Sequence, residues 1–585
     1  MELAVRIAAA SLCHRRHFDL GGSLGSRFAH SSCDQSQIRP QRIVLFLTLP
    51  RAGGDLARHA GAGTLRTFEP LAVTAVLSLI SVGGLLAYFR SPITPYAEPL
   101  SPTRSANSVA TLSWLGGIVL TAVTPFVVAQ MLGAMSPQND FDAVEYHLGG
   151  PKEWFQQGQI SRLPHNVYTS FPCLVEMLIL TGMVICGDWQ WGSLAGQAVI
   201  AGFAPLTAVG LFAAGRRVFS NEAGWLAVLI YLTSPWTYRI SIIAGVENGL
   251  ACYLFAAFFA WLVLQDHLWQ EDPLRHPAPF RLLFMTGLLA GCAMACKYTG
   301  LVSVVVPIAV LVIWSFRSLV VERRLRQLTL VLVILIAGVS ATVGPWLIKN
   351  AVETGNPVYP LAVRVFGGTD RNAELDEKWR KGHAAKQYDR VIDRVVDLPI
   401  KLTDVMANND WHSPLMFAFA PLSLFWFRRL RYGPELIDRD HACRHAMVSA
   451  AWLYVAWQFL TWWLLTHHID RFYVPMFSVV GVLSGAGACW TAAFAIKSIN
   501  DRGARIWNIV AAGLIIAAII YNAEIMLLVG GFNGGRLDLM TARQIATPPR
   551  IHWLNEEFEA GRLPSNMKVL CVGEAQMFHA RYRYV

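Results

Sequence analysis

Charge is scarce in this chain. Of its 585 residues only 15% are Asp, Glu, Lys or Arg, while 54% are hydrophobic. A soluble domain carries about 25% charged residues, so an ordinary soluble domain is excluded. Segments of about ten residues with strict polar–apolar alternation are missing too, which excludes a transmembrane β-barrel. No Walker-type loop occurs, and no glycine fingerprint stands where a strand would feed a helix. The chain therefore lacks the usual backbone cradles for a nucleotide phosphate. Its ten cysteines include no C-x-x-C pair and fall mostly inside apolar runs. They read as small buried hydrophobes.

What the chain has in abundance is long apolar runs. Lipid offers no partner to an exposed backbone group, so a spanning segment must be a helix of roughly 20 mainly apolar residues. The clearest runs are 71–90, 109–135, 301–318, 327–349, 447–467, 472–495 and 506–530. Shorter or polar-interrupted runs lie at 191–214, 222–236, 248–264, 283–297 and 412–428. The fold class that follows is an all-α polytopic membrane protein with about 11 to 13 transmembrane helices.

The net charge of +10 fits this reading without nucleic acid. Basic residues gather at Arg216–Arg217, Arg317 to Arg326, Arg428 to Arg431 and Lys497 to Arg505. Under the positive-inside rule these short loops are cytoplasmic. Residues 136–190, 351–411 and 531–585 then lie on the opposite face. Residues 1–65, rich in Arg, Gly, Ser and His, have no signal-peptide core and read as disordered. Residues 66–530 form the membrane domain, and 531–585 form an outer-face segment. Within that last segment MKVLCVGEAQ reads as a buried strand ending at a glycine turn. It is the start of a small α/β domain that the chain, on this reading, does not complete.

The first outer loop carries the densest chemistry: SPQNDFDAVEYHLGGPKEWFQQGQISRLPHNVYTS. Val144, His147 and Leu148 stand at i, i+3 and i+4, the pattern of a short amphipathic helix near the membrane surface. Asp142 and Glu145, at i and i+3, share one helical face. Asp140 precedes them, and His147, Lys152 and Arg162 follow. The apolar run after the loop is broken by Pro172 and Glu176, which predicts a re-entrant or surface helix. An acidic surface loop is by itself usually a solvated face. Three more ionisable residues weigh against that plain reading, namely Glu247 between apolar runs, Lys297 in ACKYTGL and Arg471 after His-His-Ile-Asp. Each lysine or arginine alone would be read as snorkelling to the interface. The predicted topology nevertheless puts all of them on the face that carries the acidic loop. A carboxylate base beside a group of cations suits deprotonation of an acceptor hydroxyl with stabilisation of a departing phosphate.

At four segments the chain resembles the membrane glycosyltransferases of the GT-C fold, such as protein O-mannosyltransferases and the lipid A aminoarabinose transferase. They are FDAVEYHLGGPKEWFQQGQI, ACKYTGL, PWLIKNAVETGNPVYPL and DRFYVPMFSV, spread over about residues 109–495. The resemblance implies a sugar donor on a polyprenyl phosphate, reached from the outer leaflet, and an inverting displacement. It places the base on Asp142, by its position relative to Tyr146, with Asp140 as the alternative. Two departures from the family pattern stand out. Ala143 occupies the place of a second acid, and Glu145 a place that is basic in the aminoarabinose enzyme. His147, Lys152, Lys297, Lys349 and Arg471 are the donor-phosphate candidates, with Tyr359 at the mouth of the cavity. Gly355, Pro357 and Pro360 would in any case end the preceding span and turn the chain.

The implied compartment is the inner membrane, with the active face outward. The partners are the lipid-linked donor, an acceptor of unassigned kind (protein, lipid or glycan) and the bilayer. No cofactor is read from the residues; a divalent metal is compatible with them but not required. Two other functions stay open. A transporter or flippase would place polar residues near the bilayer midplane and show related halves, whereas here the polar residues sit at span ends and no repeat is evident. A catalytically silent lipid-binding relative is the third reading.

Overall fold

A computed structural model describes residues 45–47, 114–270, 278–316, 324–369, 371–431, 439–498, 501–528 and 547–584. The apolar run at 71–90 lies outside them, as does the segment read as disordered apart from strand β1 (Leu45–Leu47). The chain runs through α1 (Trp114–Ala134), a π-turn (Ala143–His147), α2 (Gly149–Gln157), α3 (Glu176–Cys186), α4 (Trp189–Ala201), α5 (Phe203–Val218), α6 (Asn221–Leu232) and α7 (Pro235–Ile242). It continues with α8 (Glu247–Gln270), α9 (Ala278–Cys296), a second π-turn (Leu301–Val305) leading into α10 (Val306–Ser315), and α11 (Arg324–Thr354). Three further helices follow, α12 (Val363–Phe366), α13 (Ala373–His383) and α14 (Val391–Met406). The chain then re-enters the bundle through α15 (Pro414–Phe419), α16 (Arg439–Leu465), α17 (Phe477–Ser498) and α18 (Asp501–Leu528). The C-terminal segment holds α19 (Pro549–Glu559), β2 (Lys568–Leu570) and β3 (Arg583–Tyr584).

Among the described residues eight helical stretches are long and apolar enough to cross a bilayer, so the protein is a multi-pass membrane protein. The runs at 301–318 and 412–428 instead form shorter apolar helices, as does Glu176–Cys186, where Pro172 and Glu176 had predicted an incomplete crossing. A π-turn and a 3₁₀ stretch interrupt the first two and divide their length.

Packing ranks the spans. The stretch Asp470–Thr491 is the most enclosed and sits at the centre, against α5, α6 and α8. Arg505–Leu527, Trp114–Ala134 and Arg326–Thr354 present most of their surface outward, as lipid-facing spans do. Helices α9 and α11 approach closely because glycine lies at the crossing. A Cβ on Gly287 or Gly338 would overlap the main chain of the opposite helix, the arrangement by which small residues draw membrane helices together. The strand expected in MKVLCVGEAQ is β2, with Val569 fully buried and Gly573 at positive φ. It pairs in parallel with β3 and antiparallel with β1.

Residues 351–411 are tied to the bundle by one buried acid. Asp397 accepts bonds from Lys386 Nζ (2.9 Å), Tyr388 Oη (2.6 Å) and Trp463 Nε1 (3.0 Å). Desolvation would raise its pKa, but these three donors and the lysine charge outweigh it and hold the carboxyl at about 2. A depressed carboxyl contributes stability above its unfolded value, and that contribution is lost as pH falls through the folded value. Allowing for solvent screening, the contribution is on the order of 1 kcal/mol. Amide exchange in α14 is therefore expected to rise between pH 4 and pH 2. In Asp397→Asn it should already be raised at pH 4 and change little across that window.

Candidate functional site

The chain leaves α1 into a loop that Gln138 pins to the end of α7. Its amide Nε2 donates to Ile242 O (2.9 Å) and its Oε1 accepts from Ala244 N (3.4 Å). This fixes Asp140 and Asp142 just ahead of the π-turn. In that turn Leu148 N reaches back to Ala143 O (2.8 Å), and Ala143, Val144 and His147 face the core. Asp142 stays partly open.

Arg471, 329 residues later, brings the acids together. Its guanidinium bonds Asp142 Oδ2, while Nη1 lies 3.6 Å from Asp140 Oδ1 and Nε 3.6 Å from Glu247 Oε1. Arg239 meets Asp140 from the other side at 3.8 Å, and Lys297 meets Glu247 at 3.4 Å. The cluster is thus three carboxylates and three cations. Aromatic faces flank the cations, with Lys297 Nζ 3.6 Å over the Phe472 ring and Arg239 5.4 Å over Trp411. Beside Phe472 a cavity of about 130 Å³ opens between α8, α16 and the second π-turn, lined by Leu250, Thr299, Val302, Gln458, Trp462 and Phe472 among others.

Of the residues predicted from sequence, the structure joins Asp140, Asp142, Lys297 and Arg471. The others it employs differently. Glu145 is half-buried beside the cluster, and its main-chain O accepts from Asn166 Nδ2 (3.0 Å). Burial raises its carboxyl pKa, with His147 opposing. His147 Nδ1 meets Glu176 Oε1 at 2.6 Å in a buried pair that braces the π-turn against α3. Lys152 is fully buried, and its ammonium donates to the carbonyls of Met577 (3.3 Å), Phe578 (2.9 Å) and Ala580 (2.6 Å) and lies 4.4 Å over Trp189. Burial pushes that ammonium down to about 7, with Glu153 pulling upward. Lys152 thus clasps the C-terminal segment. Lys349 pairs with Glu353 (2.7 Å), whose other oxygen accepts from Arg162 N (3.2 Å). Tyr359 is buried, and its hydroxyl donates to Thr369 O (3.4 Å). Asn350 Nδ2 donates to Ser170 O (2.7 Å) and Tyr359 O (3.3 Å), so the TGNPVYP turn is knotted onto the first loop.

Sequence reasoning missed Arg239 altogether, and Glu176 as a partner of His147. It noted Glu247 as costly without giving it a role. The available signal was the same for all three, an ionisable residue inside an otherwise apolar stretch.

An aromatic row borders the site. Tyr146 stacks on Tyr168 (4.9 Å between centroids), and Tyr168 meets Trp379 of α13 (5.4 Å). Burial first, then the charges of Glu247 and Glu176, push the Tyr146 hydroxyl well above its ordinary range. It stays protonated at any physiological pH. Among the described residues no group of three His, Cys, Asp or Glu side chains is arranged to hold a metal ion.

Comparisons with known proteins agree on the architecture. Residues 170–346 match the family model for dolichyl-phosphate-mannose-protein mannosyltransferase. The structure is similar to ArnT from Cupriavidus metallidurans bound to undecaprenyl phosphate, at TM-score 0.50 and 16% identity, covering 81% of this chain and 86% of that one. It also matches the archaeal oligosaccharyltransferase AglB from Archaeoglobus fulgidus, in complex with an inhibitory peptide and a dolichol-phosphate, at TM-score 0.43 and 14% identity, covering 77% of this chain and 60% of that one. No curated protein sequence matches the chain. The fold is the GT-C fold of membrane glycosyltransferases.

Proposed function

We propose that this protein is a glycosyltransferase that moves a sugar from a polyprenyl-phosphate-linked donor to an acceptor hydroxyl, at the outer face of the inner membrane. The observation that carries the proposal is the gathering of Asp142 with Arg471, Lys297 and Arg239 from four separate parts of the chain. A lone surface acid would not share its guanidinium partner with two further carboxylates, Asp140 and Glu247, that in turn meet Arg239 and Lys297.

In this reading Asp142 takes the proton of the acceptor hydroxyl as its oxygen attacks the anomeric carbon. The bond from that carbon to the phosphate oxygen breaks on the opposite face, so the configuration inverts. Negative charge grows on the departing phosphate, and Lys297, Arg471 and Arg239 are placed to receive it. Charge held ready in a preorganised site lowers the barrier without reorganisation. The cavity beside Phe472, whose ring lies 3.6 Å from Lys297 Nζ, is where the first part of the lipid chain would lie. The undecaprenyl phosphate bound by the similar ArnT structure supports a donor of this class. His147, through Glu176, sets the turn that aims Asp142. Lys349 and Tyr359 hold the neighbouring loop, and Glu145 follows the base by three residues in the π-turn, its carboxyl pKa raised by burial.

The test is transfer from radiolabelled polyprenyl-phosphate sugars in membranes containing the full chain. Label is expected to move to an acceptor. Label that is merely carried across the bilayer, unchanged, would replace the enzyme by a lipid transporter.

A further inference from the structure

Among the described residues, none packs on one face of helix α14. Val391, Ile392, Val395, Val396, Ile400 and Leu402 are between 44% and 82% exposed. Val391 and Val395, and Ile392, Val396 and Ile400, are spaced by four and Val395 and Leu402 by seven, so they form one continuous apolar face along the helix. The opposite side is fastened to the bundle. Asp397 bonds Trp463, Leu398 packs against the core, Val405 is buried, and the Arg394 guanidinium lies 5.3 Å over Trp463. The segment just ahead of it is fastened as well, for Lys386 N donates to Thr466 O (3.3 Å).

Those fastenings set the height of the helix relative to the membrane. Trp463 is two residues from Leu465, where α16 ends. At a rise of 1.5 Å per residue that is about 3 Å along the axis. Leu464 and Leu465 themselves face outward on a span. The stripe is thus tied at the level where the bilayer's acyl region gives way to headgroups. Lys386 and Arg390 stand at its N-terminal end, each paired with an acid of the helix, Asp397 and Asp393. An apolar face, a polar face and flanking cations are the marks of a helix lying in the interface.

We infer that α14 rests in the outer-leaflet interface, with Val391, Ile392, Val395, Val396 and Ile400 among the upper acyl chains, and that the bilayer is the partner of this face. The inference does not depend on the reaction proposed above. It makes lipid a structural ligand of the second outer loop, the loop that also brings Trp379 to Tyr168.

The experiment places the full chain in nanodiscs of phosphatidylcholine and phosphatidylglycerol doped with a phosphatidylcholine that carries a photoactivatable diazirine near the top of its acyl chain. Adducts are located by mass spectrometry. Peptides containing Val391 to Ile400 should be labelled as strongly as the peptide containing Leu464 and Leu465. In the double variant Val391→Asp, Val395→Asp, labelling of α14 should fall several-fold while that of Leu465 is unchanged. Labelling that stops at Leu465 in the parent protein would overturn the inference. So would labelling of α14 that is unchanged in the double variant.

Discussion

Asp142→Asn should remove sugar transfer, by about 10²- to 10⁴-fold if the carboxylate is the general base, while the protein still inserts and folds. Asparagine has the same shape and keeps an oxygen for the Arg471 guanidinium, so the contact that joins the first loop to the start of the last-but-one span survives. What disappears is the site that takes a proton. The prediction therefore separates chemistry from architecture, with turnover of radiolabelled donor as one readout and thermal stability in detergent as the other. Asp140→Asn is the companion. Asp140 lies between two guanidinium groups, Arg239 at 3.8 Å and Arg471 at 3.6 Å, so it positions the cations that would meet the donor phosphate. Its loss should raise the donor KM more than it lowers kcat. The reverse pattern, with Asp142→Asn active and Asp140→Asn dead, would move the base by two residues and leave the rest of the mechanism standing.

The legible part of this protein was the part encoded locally. Hydropathy alone located the spans beginning near Trp114, Arg326, Arg444 and Arg505, because each contains its own apolar length. The strand in MKVLCVGEAQ was equally local, a short apolar run closed by Gly573. The acids of the first loop and the cations Lys297 and Arg471 were legible as costly residues on one predicted face. Their pairing was not, since Asp142 and Arg471 are 329 residues apart and no local pattern links them. Lys152 shows the opposite error. In sequence it is one more cation in an acidic loop, yet its partners are three main-chain carbonyls more than 400 residues away. Backbone carbonyls carry no sequence signature. Lys349 and Tyr359 were read from the TGNPVYP turn as lining a cavity mouth, and the structure shows that turn held by internal bonds of Asn350. The π-turn at Ala143–His147 was read as an ordinary amphipathic helix, because its apolar positions fit either geometry.

Arg471→Met should have the widest consequences of any single change. It leaves Asp140, Asp142 and Glu247 facing only Arg239 and Lys297, so one negative charge in a half-buried cluster has no counterpart. Breaking a buried ion pair costs about 3–5 kcal/mol, and the solvent that reaches Asp142 puts this site toward the lower end. A clear fall in melting temperature is expected, together with loss of transfer. Arg471→Lys should recover most of the stability and little of the transfer. A lysine is a point charge and meets one carboxylate, whereas the guanidinium reaches three from three different nitrogens. The decisive variant is Arg471→Met combined with Glu247→Gln, which restores two acids against two cations. If it regains stability but not turnover, charge balance maintains the fold and the guanidinium itself serves the reaction. If it regains both, Arg471 is a structural counter-ion, and the charge on the departing phosphate falls to Lys297 and Arg239.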